Sequence, residues 1–208
     1  MTLLLLVRHA AHADLGLRLT GRAEGRPLTP EGEAQARALA RRLRGEGLAE
    51  VLTSPRLRAR QTADAVATAA GAPLREHPAL DEIDFGDWTG ALFAELDGRP
   101  DWDGWNRARA TARPPNGESM AKAVARVQGL AKALSEECPG ATLALVTHCD
   151  LIRGLVAAAL GMSLDDLLRL EVAPASVTRL DVRPWGATLL GLNDMAHLDD
   201  MALTGEAA

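Results

Sequence analysis

The fold is decided by the stretch Leu3-Leu4-Leu5-Leu6-Val7-Arg8-His9-Ala10, close to the start of the chain. Five consecutive aliphatic residues are typical of a strand that is buried on both faces in the middle of a parallel sheet. A buried helix can show the same pattern, but the short length of the run favours a strand. Ligands of open α/β sheets collect at the carboxyl ends of the strands. We therefore expect Arg8 and His9 to lie beside a ligand pocket.

The composition is that of a globular domain. The 208 residues are 47% hydrophobic and 25% charged, which predicts a single domain over 1–208 with a substantial core. The net charge of −5 indicates neither nucleic acid nor an anionic membrane as a partner. The leucine run is too short for a secretion signal, and no stretch is long enough to span a bilayer. Cys138 and Cys149 form no CxxC pair, so we expect two thiols in a cytoplasmic protein.

Strand and helix patterns alternate along the chain. Strands are predicted at 3–7, 51–53, 73–77 and 142–147, followed by a hairpin of 177–182 and 187–192 that is expected at an antiparallel edge. Helices are predicted at 30–43, 55–70, from 119 to about 139, at 151–160, and in a short segment after 163. The alternation predicts a three-layer α/β/α fold with a mostly parallel central sheet. Residues from about 202 onward are expected to fray.

Two of these helices have sequence signals at their starts. Thr29 with Pro30, and Ser54 with Pro55, each resemble an N-cap residue followed by the first helical residue. The second pair places Arg58 in the first turn of a helix. Because a helix N-terminus attracts anions, Arg58 is a candidate anion ligand.

The buried-strand pattern of the N-terminus occurs again at 142–147 and again ends in a histidine, His148. If these strands are parallel neighbours, His9 and His148 converge on one pocket with Arg8 and Arg58. Guanidinium groups bind phosphate oxygens bidentately, and a neutral imidazole can attack phosphorus. Each residue alone would be an ordinary loop or surface residue, so the prediction of a phosphate site depends on the whole set.

A metal site is the alternative reading of the same residues. His9 and His12 have three-residue spacing, and His148, Cys149 and Asp150 are adjacent potential ligands. The arginines of the predicted pocket would repel a divalent cation, and no HExxH or paired-cysteine spacing occurs. We therefore expect neither a metal nor another cofactor.

Several motifs in this chain resemble those of one known family. In chain order they are Leu6-Val7-Arg8-His9-Ala10, SPRLRARQTA at 54–63, LDEIDFGDWTG at 80–90, Gly117-Glu118-Ser119, Leu145-Val146-Thr147-His148, Leu192-Asn193-Asp194 and His197-Leu198. Their types and order resemble the histidine phosphatase superfamily, also called phosphoglycerate mutase-like proteins. The similarity covers nearly the whole chain, and the ordered set is highly specific although each motif is short.

The resemblance implies a catalytic role for each matching residue. His9 would be the nucleophile that becomes phosphohistidine. The phosphoryl oxygens would be surrounded by Arg8, Arg58 and His148. Glu82 would protonate the leaving alcohol and then activate water, although spacing alone does not distinguish it from Asp81 or Asp84. Such chemistry needs positioning and charge stabilisation, which arginines and an imidazole can supply.

The chain also departs from the family pattern. Ala10 replaces a glycine, Leu15 falls where an asparagine that contacts phosphate is common, and Cys149 replaces a glycine after the second histidine. Other side chains of the first loop, at 11–28, could supply the missing substrate contact. The further candidates for contact with substrate are His12, Arg18, Gly21, Arg22 and Cys149.

We therefore expect a phosphomonoesterase that hydrolyses a small phosphorylated metabolite through phosphohistidine. A phosphoglycerate mutase-type transfer is the alternative within the same chemistry, and a non-catalytic phospho-ligand binding module is the alternative from another class. The natural substrate depends on the 11–28 loop and on a lid-like insertion at about 91–115, where the motif match is weakest. The sequence leaves the oligomeric state open.

Overall fold

The structure is a computed structural model that describes residues 1–199. Six strands form one sheet in the order β3-β2-β4-β1-β5-β6. The strands are β1 (Thr2–Arg8), β2 (Leu48–Thr53), β3 (Leu74–Glu76), β4 (Thr142–Thr147), β5 (Val177–Arg183) and β6 (Gly186–Asp194). The α-helices are α1 (Pro30–Leu43), α2 (Leu57–Ala70), α3 (Phe93–Leu96), α4 (Pro100–Arg107), α5 (Met120–Glu137) and α6 (Cys149–Leu160). Helices cover both faces of the mostly parallel sheet, so the predicted three-layer α/β/α fold is confirmed.

The N-terminal leucine run forms β1, as predicted, and is buried on both faces. Alternate side chains of a strand point to opposite faces of its sheet. Leu4 and Leu6 therefore pack into the apolar cluster under α5 and α6, whereas Leu5 and Val7 pack under α1 and α2. The continuous apolar run is thus explained by two cores that share one strand.

The two histidine-terminated strands are parallel neighbours, as predicted. β1 pairs with β4 in a register that sets Leu3 opposite Thr142 and Arg8 opposite Thr147. His9 and His148 follow directly after this last pair, so both emerge at the same edge of the sheet. The 177–182 and 187–192 hairpin is confirmed, but within it only β6 is an edge strand, because β5 lies between β1 and β6.

The helix starts agree with the sequence signals in part. Thr29 caps α1 by accepting a hydrogen bond from Gly32 N, as predicted. The Ser54-Pro55 prediction was wrong, because α2 begins at Leu57 after Arg56. Ser54 continues the β2 ladder by donating its backbone N–H to Val146 at 2.9 Å, and this pairing prevents a helical turn there. Arg58 nevertheless lies in the first turn of α2.

One other helix start needs correction, and the predicted short helix after Ser163 is present. α6 begins at Cys149, two residues earlier than predicted, directly after His148. The segment after Ser163 is a 3₁₀ helix, Leu164–Arg169, whose first turn is capped by the Ser163 hydroxyl. The residues predicted to fray, from about 202 onward, lie outside the described part of the chain.

The 91–115 segment contains α3 and α4 and is packed over the site end of the sheet. Backbone hydrogen bonds join it to the first loop, from Leu19 N to Ala91 O at 2.9 Å and from Phe93 N to Leu17 O at 3.0 Å. Trp102 of α4 meets the buried Trp88 edge to face, with ring centroids 5.4 Å apart. The two segments with the weakest motif match are therefore in contact. Within residues 1–199, the helices are all too short or too polar to cross a membrane.

Candidate active site

A cavity of about 450 Å³ lies at the carboxyl ends of β1 and β4. Arg8, His9, Arg58 and Glu82 line it. His148 is fully buried behind them, with its ring centroid 5.1 Å from that of His9. The structure thus brings together Arg8, His9, Arg58 and His148, which the sequence placed in one pocket, with Glu82, which the resemblance implied. The two histidines meet because the parallel strands β1 and β4 end at one edge of the sheet.

His9 is held in one neutral tautomer by two hydrogen bonds. Its Nδ1 donates to the carbonyl of Ala10 at 2.9 Å, and its Nε2 accepts from Nε of Arg58 at 3.2 Å. Burial, followed by the positive charges of Arg58 and Arg8, holds the pKa of His9 well below its usual value of 6.5. The ring therefore carries its proton on Nδ1 and a lone pair on Nε2 at neutral pH, which is the form that can act as a nucleophile.

Arg58 and Arg8 provide buried positive charge with spare donors. Arg58 donates from Nη2 to the Gly21 carbonyl at 2.8 Å and to Nδ1 of His148 at 3.1 Å. Arg8 donates from Nη1 to the Val172 carbonyl at 2.6 Å. Within residues 1–199, the buried Nη1 of Arg58 and Nε of Arg8 have no hydrogen-bond partner. Because a buried donor without a partner is costly, these atoms mark a place for an anion.

His148 is oriented by a residue whose role the sequence analysis missed. Its Nε2 donates to the hydroxyl of Ser54 at 2.8 Å, which leaves Nδ1 to accept from Arg58. Burial and the charge of Arg58 hold the pKa of His148 well below its usual value. Ser54 had been interpreted as a helix cap, and only its position directly after β2 could have indicated another role.

Glu82 is a buried carboxyl group at the cavity wall. Its Oε1 accepts from Ile83 N at 2.9 Å, and its Oε2 lies 3.7 Å from Nδ1 of His148. Burial, and after it the negative charge of Asp150, raise the pKa of Glu82 to about 7, against the opposing effect of Arg58. Both protonation states of this group are therefore accessible near neutral pH, as an acid that later serves as a base requires.

The two other candidates for the acid lie elsewhere. The carboxylate of Asp81 is 2.9 Å from Nε of Arg56, in an ion pair behind the site. Asp84 accepts from Gly86 N at 3.0 Å, and its side chain is 44% exposed. In the described part of the chain, neither carboxylate lines the cavity, so Glu82 is the one with access to a bound substrate.

Of the five further predicted contacts, four line the cavity and one does not. Arg18, one of the four, donates to the Gly90 carbonyl at 3.0 Å. His12 lies with its ring centroid 5.3 Å from that of His9, and burial lowers its pKa to about 4, so it is neutral. Gly21 offers its carbonyl to Arg58, and burial raises the pKa of the Cys149 thiol to about 11. Among the described residues, Arg22 is not part of the cavity wall: it contacts Glu118 and the backbone of Glu82, each at 2.7 Å.

The outer part of the cavity contains groups that the sequence analysis did not assign to substrate. Asp150 accepts from Arg109 at 2.9 Å and from Arg153 at 3.3 Å, and all three line the cavity. Phe93 and Trp102 of the 91–115 segment add an apolar wall. These residues come from α3, α4, α6 and the turn after α4, and only Asp150 had a signal, its place two residues after His148.

The comparisons with known proteins agree with this geometry. Residues 4–195 match the family model of the histidine phosphatase superfamily (branch 1), and the chain belongs to that superfamily. It is therefore an enzyme of the phosphatase and mutase type.

Particular relatives point to both activities of the superfamily. A probable phosphoglycerate mutase GpmB of Cronobacter sakazakii is 31% identical, with 95% of each chain covered. The solved structure of Bacillus stearothermophilus YhfR has a TM-score of 0.89 and 28% identity, covering 95% of this chain and 100% of that one. A mycobacterial glucosyl-3-phosphoglycerate phosphatase has a TM-score of 0.82 and 27% identity, covering 93% of this chain and 99% of that one.

Proposed function

We propose that this protein is a phosphomonoesterase that hydrolyses a small phosphate ester through a phosphohistidine at His9. The observation that carries the proposal is the neutral Nε2 of His9 beside two buried guanidinium groups that retain unused donors. A phosphoryl group placed there would meet a nucleophile on one side and fixed positive charge around its oxygens. This combination is what phosphoryl transfer needs from a protein.

The reaction has two steps, and Glu82 acts as an acid in the first and as a base in the second. In the first, the lone pair of His9 Nε2 forms a bond to phosphorus, the bond from phosphorus to the alcohol oxygen breaks, and protonated Glu82 gives its proton to that oxygen. In the second, the Glu82 carboxylate takes a proton from water as the water oxygen bonds to phosphorus and the N–P bond breaks. Inorganic phosphate leaves, and both side chains return to their starting states. A carboxyl pKa of about 7 suits both roles.

The arginines supply the charge that a metal ion would supply in other phosphatases. Arg58 is held by Gly21 and His148, and Arg8 is held by Val172, so both guanidinium groups are oriented before substrate binds. Preorganised donors of this kind stabilise developing charge without reorganisation. We therefore expect activity to persist after dialysis against a strong chelator.

The outer cavity supports hydrolysis in preference to mutase activity. A mutase must hold a second anionic group of its substrate while the phosphoryl group changes place. Arg109 and Arg153, two cations of the outer wall, are both bonded to Asp150, which offsets part of their charge. Arg18, a third cation of that wall, donates to the Gly90 carbonyl at 3.0 Å and lies 3.9 Å from the Asp14 carboxylate. One solved neighbour is named as a phosphatase and the curated relative as a probable mutase, so the choice between the two activities depends on the chemistry of the cavity.

Phosphoenzyme trapping tests the proposal. Wild-type protein mixed with a ³²P-labelled ester and quenched rapidly should retain label that is stable to base and labile to acid. His9→Ala should retain none, while His77→Ala, a matched histidine outside the cavity, should behave as wild type. Label on serine or aspartate, or no turnover of any ester, would overturn the proposal, and the latter result would favour a binding module.

The mutase is the second candidate because the curated relatives are named for it. Incubation with a phosphoglycerate should release inorganic phosphate without forming the isomer in which the phosphate has moved. Isomer formation faster than phosphate release would assign mutase activity and leave the phosphohistidine mechanism in place.

A further inference from the structure

Glu118 is a buried carboxylate outside the cavity that holds together the segment bearing Glu82. It precedes α5 and is 7% exposed. Its Oε1 accepts from Nη2 of Arg22 at 2.7 Å and from Nη2 of Arg126 at 2.8 Å. The same oxygen accepts from the backbone N–H of Asp84 at 3.1 Å. One carboxylate oxygen therefore joins two guanidinium groups to the chain just beyond Glu82.

The two arginines also bond to backbone carbonyls of Glu82 and of the residues that precede it. Arg22 donates from Nε to the carbonyl of Glu82 itself at 2.7 Å. Arg126 donates from Nη1 to the carbonyl of Ala79 at 2.8 Å and to that of Asp81 at 2.9 Å. The backbone from 79 to 84 is thus fixed by charge-assisted hydrogen bonds, which are stronger than bonds between neutral groups.

Among residues 1–199, the Glu82 side chain makes no comparable charge-assisted hydrogen bonds of its own. Its Oε1 bonds to the N–H of the next residue, Ile83, so the position of the carboxyl group follows the position of this backbone. A displacement of about 1 Å in a reacting group can cost about 10²-fold in rate. The hydrogen bonds of Glu118 are therefore in a place where they can affect catalysis without contact with substrate.

We propose that Glu118 is a positioning residue that acts through Arg22 and Arg126 to hold the Glu82 carboxyl group at the leaving-group oxygen. This inference rests on the proposed function, in which Glu82 is the general acid. It also gives Arg22 a new role: the sequence placed Arg22 among the substrate contacts, whereas its donors are directed to Glu118 and to the backbone of Glu82.

The test uses Glu118→Gln, which keeps the shape of the side chain and removes its charge. Single-turnover phosphoenzyme formation is measured with β-glycerol phosphate, whose alkoxide needs a proton to leave, and with p-nitrophenyl phosphate, whose phenolate hardly does. We expect a loss of about tenfold or more with the alkyl ester and less than about threefold with the aryl ester. In a Glu82→Gln background, where the proton is already lost, Glu118→Gln should have no further effect on the alkyl ester.

Glu46→Gln is the matched control. Glu46 also holds two arginines, Arg42 at 2.9 Å and Arg179 at 2.6 Å, but it lies in the turn before β2, at the opposite end of the sheet from the cavity. It should leave both rates unchanged. Equal losses with both esters in Glu118→Gln, or full additivity with Glu82→Gln, would show a merely structural role and overturn the proposal.

Arg22→Lys provides a second variant if Glu118→Gln does not fold. A lysine keeps the charge but cannot bridge Glu118 and the Glu82 carbonyl, so the alkyl-ester rate should fall with KM unchanged. A raised KM for both esters would return Arg22 to substrate binding and overturn the inference. Glu82→Gln alone distinguishes failure of the positioning role from failure of the proposed function. If Glu82→Gln loses rate selectively with the alkyl ester and Glu118→Gln does not, only the positioning role is refuted. If Glu82→Gln loses rate equally with both esters, Glu82 is not the acid.

Discussion

Nε of Arg58 donates to Nε2 of His9 across 3.2 Å, so the arginine that we propose binds phosphate is hydrogen-bonded to the proposed nucleophile itself. The contact requires a lone pair on Nε2 and therefore a proton on Nδ1, where the Ala10 carbonyl accepts it. One guanidinium group thereby sets the tautomer of His9, lowers its pKa and retains an unused donor, Nη1, to which we assign the phosphoryl group.

Replacement of Arg58 by lysine should show how much the first step depends on the planar guanidinium group of Arg58. A lysine retains the charge but cannot contact His9, His148 and Gly21 together. We expect phosphoenzyme formation to fall by about 10²–10³-fold in a single-turnover assay, the usual effect of removing a preorganised donor. Arg60→Lys, in the exposed pair with Glu76, is the control and should behave as wild type. A change of less than about threefold in Arg58→Lys would refute this role.

Ser54→Ala should affect both stability and turnover. It removes the acceptor of the buried His148 N–H, and an unsatisfied buried donor costs about 1–3 kcal/mol. We expect that loss in the free energy of unfolding measured in urea, together with slower phosphoenzyme formation, because His148 is freed to rotate away from Arg58. Ser163→Ala, which removes an exposed cap, should lower stability without changing the rate. An unchanged rate in Ser54→Ala would show that the orientation of His148 does not matter.

The pH dependence of the first step should report the Glu82 carboxyl group. The acid must be protonated, and its pKa is about 7, so phosphoenzyme formation from an alkyl ester should fall as pH rises through about 7. The rate with an aryl ester, which hardly needs the proton, should not fall in this pH range, although every other ionisation should affect both esters alike. Since the pKa of His9 lies well below 6.5, His9 should not limit the rate just below neutrality. Identical profiles for the two esters would contradict the assignment.

The same pKa predicts a pH-dependent difference in stability between Glu82→Gln and the wild type. Glu82 has a folded-state pKa raised from 4.5 to about 7, so its contribution to stability is present below about 4.5 and is lost as pH rises through about 7. Glutamine does not titrate. The free energy of unfolding of the variant relative to the wild type should therefore increase by up to about 3 kcal/mol across this window and then level off.

Urea titrations at a series of pH values measure this difference. Glu46→Gln serves as a control of opposite sign, because hydrogen bonds from Arg179 hold the pKa of Glu46 below its usual value. Its wild-type contribution is present above about 4.5 and is lost as pH falls below that value. A Glu82→Gln difference that does not change with pH would mean that the Glu82 pKa is not raised.

Local signals in the sequence predicted most elements of the fold. The apolar runs at 3–7 and 142–147 indicated strands, and Thr29 indicated the start of α1. Each of these signals depends on a few neighbouring residues whose conformational preferences agree with the final structure. The start of α2 could not be predicted this way, since Ser54 bonds to Val146, a residue far along the chain.

By itself, the sequence determined which side chains lie at the ends of the two central strands. A short apolar run defines each strand, and the residue after the run leaves the sheet at the carboxyl end of that strand. His9 and His148 were identified in this way, and Arg58 by its place in the first turn of α2. Only the tertiary structure decided that Glu82, and neither Asp81 nor Asp84, lines the cavity. It also decided that Arg22 bonds to Glu118. The three acids lie within four residues of chain, 81–84, whose backbone is held by hydrogen bonds from distant segments that no local pattern encodes.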